Sequence, residues 1–91
     1  MDKQKICYVD DADANLALIK EIFSAEFEIF TLDDAVSAVD RISDIGPDLI
    51  LLDVNMPGVD GYQICKTIRE QNQFKNTPIV FLTSRKGLED R

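Results

Sequence analysis

Two four-residue runs, Leu49-Ile50-Leu51-Leu52 and Ile79-Val80-Phe81-Leu82, are apolar at every position; Asp48 and Asp53 bound the first, and Thr77-Pro78 precedes the second. Successive side chains of a strand point to opposite faces, so a strand with no polar member needs cover on both. A parallel sheet with helices packed on each side provides that cover. The segments around these runs agree. Ile6 to Val9 is a short apolar run stopped by Asp10-Asp11 and reads as a first strand. Asp13 stands where an N-cap belongs, and Leu16, Ile19 and Phe23 follow at helical spacing with Leu18 and Ile22 beside them. A first amphipathic helix with a broad buried face is therefore expected. Phe27 to Leu32 alternates and reads as an edge strand. Asp33-Asp34 put acid at the start of a second helical stripe, Ala35, Ala38, Val39 and Ile42, which Gly46-Pro47 ends. Pro57-Gly58 marks a turn, and a third helix begins near Gly61 with Tyr62, Cys65 and Ile68 as its expected buried side and Ile64 alongside. Arg85 to Arg91 reads as the polar opening of a fourth helix.

The order is β-α-β-α-β-α-β, which calls for parallel strands joined by right-handed crossovers with helices on both faces. The half-polar second strand belongs at an edge and the fully apolar third in the interior. That fits an α/β, flavodoxin-like doubly wound sheet of order 2-1-3-4. No G-x-G-x-x-G follows the first strand, which removes the reason to prefer the dinucleotide-binding order. In such sheets ligands sit beyond the carboxyl ends of the strands, where the strand order reverses. Here that point lies between strands one and three, whose ends carry Asp10-Asp11 and Asp53. Adjacent strands are about 5 Å apart, so the three carboxylates converge on one pocket. Like charges this close raise one another's pKa values or attract a cation. An all-oxygen set selects a hard divalent ion, and so few carboxylates favour Mg²⁺ over Ca²⁺.

Composition narrows the chemistry further. The chain has no histidine and only two cysteines, Cys7 and Cys65, far apart in sequence. A zinc site, a Ser-His or Cys-His nucleophile and a histidine base are all excluded, and both cysteines read as small buried apolar residues. Ten basic residues against seventeen acidic give a net charge of −7, which argues against nucleic acid or an anionic membrane as a direct partner. No apolar run approaches the ~20 residues of a membrane span, and Asp2, Lys3, Lys5 and Asp10 do not fit a signal peptide. A cytoplasmic location is expected.

Val9-Asp10-Asp11, the stretch from Leu51 to Gly61 and Pro78-Ile79-Val80-Phe81-Leu82-Thr83-Ser84 together resemble the receiver domain of two-component response regulators, with family-like spacing from Lys5 onward. The specific part is the block D-x-x-M-P-x-x-D-G beginning at Asp53. The resemblance implies a module that takes a phosphoryl group from a histidine kinase or a histidine phosphotransfer protein onto Asp53. It is a phosphoryl acceptor in signalling, not an enzyme with a separate substrate. Asp11 would bind Mg²⁺ directly and Asp10 mainly through water, with Asp53 and the backbone carbonyl of Asn55 completing the protein ligands. Thr83 would be the switch hydroxyl. Asp60-Gly61 reads as a device for starting the third helix.

The resemblance also implies the rest of a fourth helix, a fifth strand bearing a lysine and an aromatic switch residue, and a fifth helix beyond Arg91. Residues 1–91 are therefore expected to form an incomplete receiver domain that ends as helix four begins. Met1, close to strand one, suggests that the receiver comes first, with a possible C-terminal effector domain in the parent protein. An uncovered sheet edge and face, with Cys7 or Phe81 exposed, lead to the expectation that the shortened form self-associates. Two other readings compete. One is an interaction module that keeps the fold without phosphorylation. The other is a phosphatase of the haloacid dehalogenase type, which resembles D-x-D-x-[TV], whereas this chain has Asn55 at the second acidic position.

Overall fold

The computed structural model describes residues 3–54, 56, 58 and 60–82. Its elements are β1 (Gln4–Val9), α1 (Asp13–Phe23), β2 (Phe27–Leu32), α2 (Ala35–Ile45), β3 (Leu49–Asp53), α3 (Gly61–Arg69), a 3₁₀ turn (Asn72–Phe74) and β4 (Ile79–Leu82). The strands form one sheet of order β2-β1-β3-β4, parallel throughout. This is the flavodoxin-like order anticipated above. Asn55, Thr83 and the expected helix over 85–91 lie outside the described residues.

Two helices start and stop by the devices their sequences supply. The Asp34 side chain accepts from the Val36 N–H at 2.9 Å, and Asp60 does the same for Tyr62 N–H at 2.9 Å. Gly46, at φ 65°, closes α2 by donating its N–H to the carbonyl of Ile42. The first helix differs from expectation. Its N-cap position is Ala12, and Asp13 lies inside the first turn, where its charge suits the helix dipole. No side chain caps α1 at that position, and the turn leading into it is held by Asp10, whose Oδ1 accepts from the Ala12 N–H at 2.9 Å.

One face of the sheet carries the core. Cys7, Val9, Leu32, Ile50 and Leu52 pack against Ala38 and Ile42 of α2 and Ile64 and Ile68 of α3, with Met56 and Phe74 closing the ends. Phe74 comes from the 3₁₀ turn, which the sequence pattern did not reveal. Arg69 holds that turn, since its Nη1 donates to the carbonyls of Phe74, Lys75 and Thr77. The buried line of α3 is Gly61, Ile64 and Ile68. Tyr62, expected on the buried side, is 62% exposed and rests its ring on Phe81, with centroids 4.8 Å apart. Cys65 is half-buried on the flank.

The opposite face has α1 alone as cover among the described residues, and the expectation of a broad buried face on that helix fails. Only Leu16 of α1 is buried, while Leu18 is 54% and Ile22 56% exposed. The reason lies in placement: α1 packs along β2 at the sheet's edge, and its outer stripe stays exposed among the described residues. Leu49 and Leu51 of β3 are consequently only half-buried. A cavity of about 280 Å³ opens among Ile6, Ile19, Phe23, Phe27, Ile29 and Leu51. Cys7 is not part of this open side. It is fully buried against α2 and α3, and burial pushes its thiol pKa up to about 12.

Candidate functional site

The register of the two central strands assembles the site. Val9 of β1 is level with Leu52 of β3, so the next residues, Asp10 and Asp53, emerge side by side at the carboxyl ends. Strand alternation puts Tyr8 and Asp10 on one face of β1, and Leu51 and Asp53 on the same face of β3. Asp10 is 0% and Asp53 1% exposed, whereas Asp11 faces solvent in the turn before α1. Carboxylate oxygens of all three lie within 4.8 Å of one another. The convergence expected from strand order alone is present.

Asp10 is held by three donors. The Tyr8 hydroxyl donates to Oδ2 at 2.5 Å, Asn15 Nδ2 to the same oxygen at 3.0 Å, and the Ala12 N–H to Oδ1 at 2.9 Å. Burial by itself pushes the Asp10 carboxyl upward, but these hydrogen bonds, together with one to the Asp53 side chain, outweigh it and hold the group below the ordinary carboxylate range. Asp10 therefore stays ionised in a buried position. The Tyr8 phenol is pushed well above its usual range by burial, by its bond to Asp10 and by the charges of Asp10 and Asp53, so it stays a donor.

The donor set consists of carboxylate oxygens, two buried and one exposed, and its chemistry fits a small hard divalent cation. The turn after β3 is shaped by Met56, which is buried in the core, and by Gly58 at φ 71°. Asp60 then starts α3, as read from the sequence. Asn55 and Thr83 lie outside the described residues. Two polar residues of the site, Tyr8 and Asn15, were not singled out by the sequence. The signal was there for Tyr8, since a tyrosine two residues before a strand-end aspartate shares its face. A concavity of about 630 Å³ lined by Lys3, Lys5 and Lys20 lies at the other end of the sheet, away from the carboxylates.

Residues 6–91 match the family model described as the response regulator receiver domain. The response regulator PleD of Caulobacter vibrioides is 36% identical over 88 residues, covering 96% of this chain and 19% of PleD. Protein PilG of Pseudomonas aeruginosa is 32% identical over 91 residues, covering 99% of this chain and 67% of PilG. Among solved structures, the chemotaxis protein CheY4 of Vibrio cholerae is similar with a TM-score of 0.84 and 31% identity, covering 97% of this chain and 74% of that one. The chain thus spans about a fifth of PleD and two thirds of PilG.

Proposed function

This chain belongs to the response regulator receiver domain family, and from that premise we propose that Asp53 accepts the phosphoryl group in a two-component relay. The observation that carries the reading is the carboxylate of Asp53, buried at the end of an interior strand with those of Asp10 and Asp11 within 4.8 Å. In the step proposed, an Asp53 carboxylate oxygen attacks the phosphorus of a phosphohistidine. The P–O bond forms as the P–N bond breaks, and the imidazole leaves and takes up a proton. Hydrolysis of the acyl phosphate later returns Asp53 as a carboxylate. The donor is a histidine kinase or a histidine phosphotransfer protein, and a C-terminal effector domain in the parent protein would read the phosphorylated state. Residues 1–91 contribute to a single receiver unit, and a cytoplasmic location goes with that reading. No helix among the described residues is long and apolar enough to cross a membrane.

Asp10, Asp11, Asp53 and the backbone carbonyl of Asn55 would hold Mg²⁺, Asp11 directly and Asp10 mainly through water. When bound, the ion supplies positive charge that offsets repulsion between Asp53 and the incoming phosphoryl oxygens. Asp10 and Asp11 place that charge. Thr83 follows Leu82, the register partner of Asp53, and its hydroxyl is the group proposed to bond the phosphoryl oxygens.

Incubating the chain with a small-molecule phosphodonor and Mg²⁺, followed by peptide mass mapping, tests the assignment. One phosphoryl group on Asp53, lost in Asp53→Ala, is expected. Label that persists in Asp53→Ala, or that sits on Asp60, overturns it. No label at all favours a non-phosphorylated interaction module.

A further inference from the structure

The crowding of donors on Asp10 has a consequence for the cation. An ionised carboxylate offers about four lone-pair positions. At least three are used within the chain: both on Oδ2, by the Tyr8 hydroxyl and Asn15 Nδ2, and one on Oδ1, by the Ala12 N–H, besides a hydrogen bond shared with the Asp53 side chain. We propose that Tyr8 is a positioning residue that keeps the acidic pocket assembled without a cation and, by saturating Oδ2 of Asp10, weakens the pocket's hold on one. The inference rests on reading the pocket as a divalent-metal site.

Three carboxylates within 4.8 Å repel one another, and two of them are buried, where water screens poorly. The Tyr8 hydroxyl points its proton at one of these charges from inside the protein. Its bond to Oδ2 is 2.5 Å long, the range of a charge-assisted O–H···O⁻ bond. Tyr8 lies within β1, in register with Thr31 of β2 and Leu51 of β3, so strand pairing on both sides fixes where the hydroxyl sits. A phenylalanine there would keep the ring and remove only the proton donor. Asn15 and Ala12 would still hold Asp10 in part, so the loss is that of the one donor that offsets its charge from within the strand. The expected result is a pocket less stable when empty and tighter for Mg²⁺.

The test is calorimetric titration of the chain and its Tyr8→Phe variant with Mg²⁺, alongside thermal melts in chelator and in saturating Mg²⁺. Tyr8→Phe should bind Mg²⁺ more tightly, by up to about tenfold, the scale of one charge-assisted hydrogen bond. Its melting temperature should fall in chelator and largely recover in Mg²⁺. Asn15→Ala, which removes the other donor to Oδ2, should shift affinity in the same direction. Equal or weaker affinity in Tyr8→Phe overturns the inference, as does a melting loss that Mg²⁺ does not relieve, including failure to fold in either buffer. If the unaltered chain binds no Mg²⁺, the metal-site reading itself fails. Binding by the unaltered chain with no change in Tyr8→Phe sinks only the role of Tyr8.

Discussion

Gly61 approaches the end of β3 so closely that a methyl carbon added to it would lie 2.9 Å from the Cα of Val54 and 3.1 Å from the carbonyl oxygen of Asp53. Both neighbours are backbone and cannot turn aside, so the first turn of α3 is seated directly against the residue proposed to carry the phosphoryl group. Gly61→Ala should therefore destabilise the chain by about 1–3 kcal/mol, although alanine is the better helix former. The displacement should reach Asp53 and weaken Mg²⁺ binding. Urea unfolding and a Mg²⁺ titration check both parts; a gain in stability contradicts the contact.

That contact also explains what the sequence could and could not disclose. The apolar runs and the aspartates ending them were legible because strand order and strand-end position follow from pattern alone. Asp10, Asp11 and Asp53 meet for that reason. The rotation of α3 was not legible. Tyr62-Cys65-Ile68 and Gly61-Ile64-Ile68 are both valid helical stripes, and the seat of Gly61 against Val54 selects the second. The exposure of Leu18 and Ile22 was hidden because a stripe shows that a face is apolar without showing what covers it. Phe74 was missed because a three-residue 3₁₀ turn has no period. The hydrogen bond of Tyr8 to Asp10 follows from strand alternation, yet a tyrosine in an apolar strand reads first as packing.

Arg69 ties the end of α3 to the segment that delivers β4. Its Nη1 donates to the carbonyls of Phe74, Lys75 and Thr77, and the Phe74 carbonyl also accepts from the Thr77 N–H at 3.3 Å. Arg69→Ala should cost about 1–3 kcal/mol, the scale of hydrogen bonds from a charged donor. Arg69→Lys should recover only part, because a single ammonium lacks the fixed guanidinium plane. Chemical denaturation of the two variants measures the difference; equal stability of Arg69→Lys and the unaltered chain would count against the planar requirement.

Alkaline conditions should unfold the chain through Cys7. Its thiol rises from an ordinary 9.0 to about 12 in the fold, chiefly through burial, with Arg41 pulling weakly the other way. A raised pKa in the folded state means that the contribution is complete below pH 9.0 and drains away as pH climbs toward 12. The slope is up to about 1.4 kcal/mol per pH unit. Tyr8, also raised, adds loss of the same sign above its ordinary 10.0. Asp10 acts at the other end: its depressed pKa contributes stability above 3.8 that is lost as pH falls below that value. Unfolding free energy measured against pH should show both limbs, and Cys7→Ala should flatten the first part of the alkaline one. Iodoacetamide at neutral pH should label the half-buried Cys65 before the fully buried Cys7.

Among the described residues α1 alone covers one side of the sheet, and the 91-residue chain is expected to associate with itself. Two surfaces compete for the contact. One is the outer stripe of α1, with Leu18 and Ile22 more than half exposed beside Phe23 and the 280 Å³ cavity. The other is β4, at the sheet's edge among the described residues, with Val80 and Phe81 partly exposed. Exposed apolar patches of several hundred Å² are association surfaces, and unpaired strand edges are too. The α1 side should prevail. Tyr62 already rests on Phe81 and shields part of the β4 side, whereas nothing among the described residues shields Leu18 and Ile22. Burying apolar surface there gains about 25 cal/mol for each Å². Light scattering coupled to size exclusion should show a concentration-dependent mass above that of the monomer. Leu18→Lys with Ile22→Lys should restore the monomer, while Val80→Lys should not. A monomer at every concentration, or rescue by Val80→Lys alone, would place the decisive surface elsewhere.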